Sequence, residues 1–196
     1  MIAGLRALAS PPDITVAEID PARRAALAAG GVRAVPDAAS AVAAGDVVVL
    51  ATKPQSAAGV LPEIAAAWAP GKLLVSVLAG TPTRVLEAGL PAGAAVVRAM
   101  PNTPLAIGRG MVGLAAGCAA SAADMAEAEA LFAPCARVLR VRDEALMDAV
   151  TAVSGSGPAC VRAVCVCVCV CVRVCVRVCV CVCVCVWGGG GRCVCC

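Results

Sequence analysis

Histidine and tyrosine are absent from this 196-residue chain, and phenylalanine occurs once. The first absence excludes a histidine-dependent triad and a histidine metal site, and the second excludes a tyrosine general acid. Whatever chemistry the chain supports must be carried mostly by a cofactor. Aromatic residues make up 2% of the sequence. An alanine-rich, aromatic-poor composition predicts helices packed close on a sheet, where small side chains let the two layers approach.

Charge and cysteine divide the chain into two unlike parts. All 13 acidic residues and 12 of the 16 basic ones precede Ala159, so the first part is nearly neutral. A neutral head offers no clustered Lys and Arg to displace counterions from phosphates, so no nucleic-acid partner is expected. No membrane partner is expected either. Only Cys118 and Cys135 precede Ala159; the other 13 of the 15 cysteines fall between Cys160 and Cys196. Two isolated thiols and no signal peptide fit a reducing cytoplasm.

Along the head, short apolar runs alternate with longer helical stretches, the pattern of a mostly parallel sheet covered by helices on both faces. Strands are predicted at 14–17, 32–35, 46–50, 73–78, 94–99, 111–115 and 138–141, that at 46–50 buried on both faces. Helices are predicted at 21–29, opened by Pro21 and stopped by Gly30 and Gly31, and from the cap Asp37 to Ala44. Further helices follow at 54–68, 81–90 and 121–132. A nucleotide-binding fold begins with a strand entering a Gly-rich turn at a helix N-terminus. Residues 1–9 are helical in character, and no G-x-G-x-x-G precedes them. They read as the rest of a first crossover helix, with 14–17 as the second strand. The expected fold is a Rossmann-like, doubly wound α/β domain lacking its first strand.

Four segments carry candidate chemistry. Val47-Val48-Val49-Leu50 runs into Ala51, Thr52, Lys53 and Pro54. Ligands of doubly wound sheets sit at strand C-termini, so these four would face a cofactor; a solvated lysine at a turn is the plain alternative. Val75-Ser76-Val77-Leu78 runs into Ala79 and Gly80, small residues that permit close approach of a flat ring. The third is Arg98-Ala99-Met100-Pro101-Asn102-Thr103-Pro104, followed by Gly108-Arg109-Gly110. Its prolines bracket an amide and a hydroxyl able to hydrogen-bond a carboxamide or a substrate carboxylate. The fourth is Asp148-Ala149-Val150-Thr151-Ala152-Val153-Ser154-Gly155-Ser156-Gly157-Pro158-Ala159, small residues and hydroxyls at the start of another helix.

In this order the four segments resemble pyrroline-5-carboxylate reductase over nearly all of 14–159. The Arg-Ala-Met-Pro-Asn-Thr-Pro and Ser-Gly-Ser-Gly-Pro-Ala segments are the specific ones. The Ala-Thr-Lys-Pro segment is shared with several β-hydroxyacid-dehydrogenase-like reductases. The resemblance implies that Ala51, Thr52, Lys53, Pro54, Ala79 and Gly80 line an NAD(P)H site, with Asn102 and Thr103 near the nicotinamide. It implies hydride transfer to the C5 imine carbon of 1-pyrroline-5-carboxylate, giving L-proline, and a substrate site including Ser154, Gly155 and Ser156. The family is homo-oligomeric, but the domain that builds its dimer is missing here. The alternatives are another NAD(P)-dependent reductase of this fold and a non-enzymatic fragment of it. The family tips the cofactor toward NADP; Glu18 would favour NAD through a ribose hydroxyl, and Arg23 or Arg24 would favour a 2′-phosphate.

The chain departs from the family pattern in lacking the Gly-rich loop, in Ala38 where asparagine is common, and in Cys160 where an aromatic is usual. The C-terminal helical domain that completes the family's pocket has no counterpart, so impaired activity is expected. The domain reading is 1–152 nucleotide-binding, 153–163 the start of a helical dimerisation domain, and 164–196 a low-complexity Cys-Val tail. Over 164–186 every second residue is valine and the alternates are cysteine, apart from Arg173 and Arg177. Cysteines at i and i+2 on an extended strand share a face without converging, so no metal site is expected. TGT encodes Cys and GTG encodes Val, so a TG repeat read in frame gives this tract. The tail reads as a shifted or mispredicted frame.

Overall fold

The computed structural model describes residues 1–155. Readings that fall on 156–196, including Ser156 and the Cys-Val tract, lie outside the described residues. A short helix α1 (Ile2–Arg6) precedes β1 (Thr15–Ala17), α2 (Pro21–Ala29) and β2 (Arg33–Val35). Then come α3 (Ala38–Ala44), β3 (Val47–Leu50), α4 (Ala57–Ala66), β4 (Leu73–Ser76) and α5 (Thr83–Ala88). The order continues with β5 (Ala95–Pro101), β6 (Gly110–Ala116), α6 (Ala122–Phe132), β7 (Ala136–Arg140) and α7 (Met147–Val150).

Local chemistry accounts for the helix starts. Asp20 caps α2, accepting from the backbone N–H groups of Ala22 and Arg23, with Pro21 at the first turn. Asp37 accepts from Ser40 N at 2.7 Å at the start of α3. Ser121 and Asp124 form a capping box on α6: the Ser121 hydroxyl accepts from Asp124 N while the Asp124 carboxylate accepts from Ser121 N. The helix predicted over 54–68 divides into a 3₁₀ turn (Pro54–Ser56) and α4, which carries Pro62 inside it.

The strands form two sheets, β1-β2 and β3-β4-β5-β6-β7. Every pairing is parallel except β5 with β6. In a doubly wound sheet the first strand lies between the second and the fourth. Among the described residues no strand joins β1 to β3, which gives the Rossmann-like fold expected, without that strand. This arrangement corrects one expectation. Val47, Val48 and Val49 are half-buried and only Leu50 is buried, because β3 is hydrogen-bonded on one side alone and ends the five-stranded sheet.

The two faces of that sheet have different cores. On one, Leu74 and Val96 pack with Leu61, Ile64 and Leu86 from α4 and α5. On the other, Leu73, Val75, Val97 and Leu114 pack with Met125, Ala128 and Phe132 of α6. Close approach depends on glycine at particular places. A Cβ at Gly113 would lie 2.8 Å from Val150 Cγ1, so α7 rests directly on β6. A Cβ at Gly110 would lie 2.8 Å from the Cα of Leu105 and 3.0 Å from the Cβ of Ala136.

Two predictions follow from these contacts. Gly110→Ala presses against backbone and is expected to destabilise the chain by about 1–3 kcal/mol in denaturant unfolding. The second concerns acid. Hydrogen bonds from Ser121 hold the Asp124 carboxyl below the usual carboxylate range, and those from Ser40 do the same for Asp37. A carboxyl whose folded pKa is depressed contributes stability above its unfolded pKa of about 3.9, lost as pH falls through the lower folded value. The stability difference between wild type and Asp124→Asn should therefore be largest at neutral pH and close below that range.

Candidate active site at the strand ends

Because β3, β4 and β5 are parallel, their C-termini open on one end of the sheet. Residues 51–56 after β3 are all exposed, as are Ala79 and Gly80 after β4. Gly80 has φ +67, and a Cβ built there would meet nothing within 4 Å. The left-handed backbone turns the chain sharply into α5, and open space lies over the turn. Ala51, Thr52, Lys53 and Pro54 thus share one open end of the sheet with Ala79 and Gly80.

The loop after β5 is built differently. Asn102 precedes a 3₁₀ turn (Thr103–Ile107), closed by Gly108 at φ +69. Both ends of the Asn102 amide have protein partners. Its Oδ1 accepts from Met111 N at 2.9 Å, and its Nδ2 donates to Ser154 Oγ at 3.4 Å. Thr103 is exposed. The amide read from sequence as a ligand group therefore also ties the start of β6 to the segment after α7. That segment is a π turn (Thr151–Gly155), and a Cβ at Gly155 would lie 2.8 Å from Met100 Cε. Ser154 and Gly155 are brought to the end of β5, beside Asn102. Helical structure runs from Glu144 through Gly155, crossing 152–153 without a break.

Sequence reasoning passed over the side chains that hold this segment. Arg98, on β5, is buried in the sheet face. Its Nη1 donates to Glu144 Oε1 and its Nη2 to Asp148 Oδ1, both at 3.3 Å. Glu144 also accepts from Thr83 N at 2.8 Å and from Thr83 Oγ1 at 2.7 Å. The signal was present: a lone arginine inside an apolar strand, with two acids four residues apart downstream, on one helical face.

At the end of β1, Glu18 accepts from Asp20 N at 3.0 Å and lies 3.9 Å from the Arg23 guanidinium. Arg24 donates to the carbonyls of Glu18 and Ile19. Arg24 is thus engaged with backbone, while the Arg23 side chain is 74% exposed. Ala38, where the family pattern has asparagine, donates its N–H to Glu63. Among the described residues no group of three or more His, Cys, Asp or Glu is placed to hold a metal ion. Among the same residues no helix is long and apolar enough to cross a membrane.

Comparison with known proteins gives this geometry a family. A pyrroline-5-carboxylate reductase of Pseudomonas aeruginosa is 44% identical over 161 residues, covering 81% of this chain and 59% of its own length. The chain belongs to the pyrroline-5-carboxylate reductase family. Residues 1–80 also match the family described as NADP oxidoreductase, coenzyme F420-dependent. Among solved structures, a pyrroline-5-carboxylate reductase of Coxiella burnetii superposes with TM-score 0.78 at 29% identity, over 84% of this chain and 62% of that one. The Plasmodium falciparum pyrroline carboxylate reductase, solved with NADP bound, superposes with TM-score 0.64 at 28% identity, over 68% of this chain and 50% of that one. The chain spans less than two thirds of the length of these reductases.

The Asn102 bonds generate a prediction. Asn102→Ala removes the acceptor of Met111 N and the donor to Ser154. It should cost about 1 kcal/mol in denaturant unfolding. Proteolysis between 147 and 155 should become faster.

Proposed function

We propose that this chain carries the nucleotide-binding part of an NAD(P)H-dependent pyrroline-5-carboxylate reductase, which reduces 1-pyrroline-5-carboxylate to L-proline. The contact of Asn102 with Ser154 carries this reading, because it joins the strand ends to the hydroxyl-bearing segment that resembles the family's substrate site. The residues at the strand ends fit a dinucleotide. Ala51, Thr52, Lys53 and Pro54 offer a small-residue edge with one cation, and the open space over Gly80 admits a flat ring.

When bound, a reduced nicotinamide supplies the hydride. The protein's own residues supply position. In this reading Ala79 and Gly80 set how closely the ring approaches, while Asn102 and Thr103 flank it from the end of β5. Ser154 and Gly155 orient the imine acid, with Ser156 beyond the described residues. NADP is the preferred cofactor: the exposed Arg23 supports pairing with a 2′-phosphate, while Glu18 leaves NAD open.

A cytoplasmic setting, consistent with the isolated thiols, is part of the same proposal. An open apolar groove of about 530 Å³ supports the packing of further protein here, lined by Met111, Leu139, Leu146, Val150, Val153 and Ser154 among others.

The test is incubation of the chain with NADPH and 1-pyrroline-5-carboxylate, quantifying proline, beside fluorescence titration of NADPH. Proline formation that requires both compounds is expected, slower than in a full-length family member. Saturable NADPH binding without proline formation would leave a cofactor-binding fragment. Binding of neither NADPH nor NADH would leave the family's fold without its chemistry.

A further inference from the structure

Arg98 is a buried charge that the reading above does not use. Its side chain is 5% exposed, and it lies beside Ser76 in the β4–β5 register, between the N-terminus of α5 and the start of α7. A guanidinium taken out of water must be paired and hydrogen-bonded. Its two partners are unequal. Asp148 is 82% exposed, where solvent screening leaves an ion pair with little strength, whereas Glu144 is 25% exposed.

Glu144 has a second task. Pro82, at the N-cap of α5, makes no side-chain cap bond. The first N–H of that helix finds its acceptor in Glu144, 61 residues away, and the Thr83 hydroxyl donates to the same carboxylate. One carboxylate thus joins three pieces of chain: the turn after β4, the buried arginine of β5, and the helical segment leading to Ser154.

We propose that Arg98 and Glu144 are positioning residues that lock the turn at 79–82 to the segment carrying Ser154. The inference rests on the reading above, in which these two segments flank one cofactor and its substrate. Neither residue touches either one. Their effect is to set the separation of the two walls, on which transfer between bound groups depends steeply. A purely structural role, satisfying the arginine and no more, predicts a general loss of stability when the network is cut. Positioning predicts a paired local effect.

Hydrogen–deuterium exchange on the full chain distinguishes them without any ligand. Glu144→Gln should raise exchange together in 79–86 and 147–155, with the rest of the sheet unchanged, whereas Asp148→Asn should raise it in 147–155 alone. Should Glu144→Gln fail to fold, Thr83→Val removes one of the three bonds and carries the same paired expectation. NADPH titration of the same proteins gives a second readout. Thr83→Val should raise Kd about ten-fold, the loss of one charge-assisted hydrogen bond, and Thr83→Ser, which keeps the hydroxyl, should restore it. A uniform rise in exchange over the whole sheet, or no change in 79–86, overturns the proposal. If the wild-type chain binds no NADPH, the functional reading fails, and the exchange pattern alone decides the coupling.

Discussion

The ion pair between Arg98 and Glu144 is the constraint on which the site end of the molecule depends. A cation in the middle of a sheet face is costly to bury, so whatever packs over it must bring a carboxylate. That requirement decides where the chain goes after β7. The run from Asp143 to α7 lies over β5 and β6 because Glu144 meets Arg98 and Thr83 there, and Gly113 leaves room for Val150. Met147, fully buried beneath, supplies the apolar part of the same contact. Among the described residues no buried side-chain nitrogen or oxygen lacks a partner, so the network is complete.

Other tertiary bonds of the head also use long polar side chains, which close helix ends and turns. Lys72 donates to the carbonyls of Val42 and Gly45 at the end of α3, and Arg6 donates to the Gly30 carbonyl at the end of α2. Glu87 accepts from Cys118 N and holds the turn after β6. Each connects elements more than twenty residues apart. In a protein with so few aromatics, these polar clasps fix the positions of helices that small side chains alone would leave free to slide.

Most of the fold was legible in the sequence, for reasons that can be named. Pro21 and Gly30 bracket α2, Asp37 announces α3, and Ser121 opens α6; each is local chemistry that no distant contact overrides. Burial was less legible. The valines of β3 read as a central strand, yet whether a strand is central depends on its neighbours, which its own residues do not encode. The site was legible in part. Small residues after β3 and β4 marked the open end of the sheet. The partners of Asn102 could not be read, since they lie 9 and 52 residues away. Arg98 stands in a motif whose local signal comes from the proline-bracketed loop after it, and its own partners lie 46 and 50 residues downstream.

The reversal of β6 has a topological consequence. Because β6 runs against β5, and β7 runs with β6, the last strand starts at the site end and runs away from it. The helical return path therefore climbs toward the strand C-termini and delivers Ser154 and Gly155 there. Had β6 been parallel like the others, the same return would have carried them to the opposite pole. One inverted strand thus decides which pole of the sheet the returning segment covers.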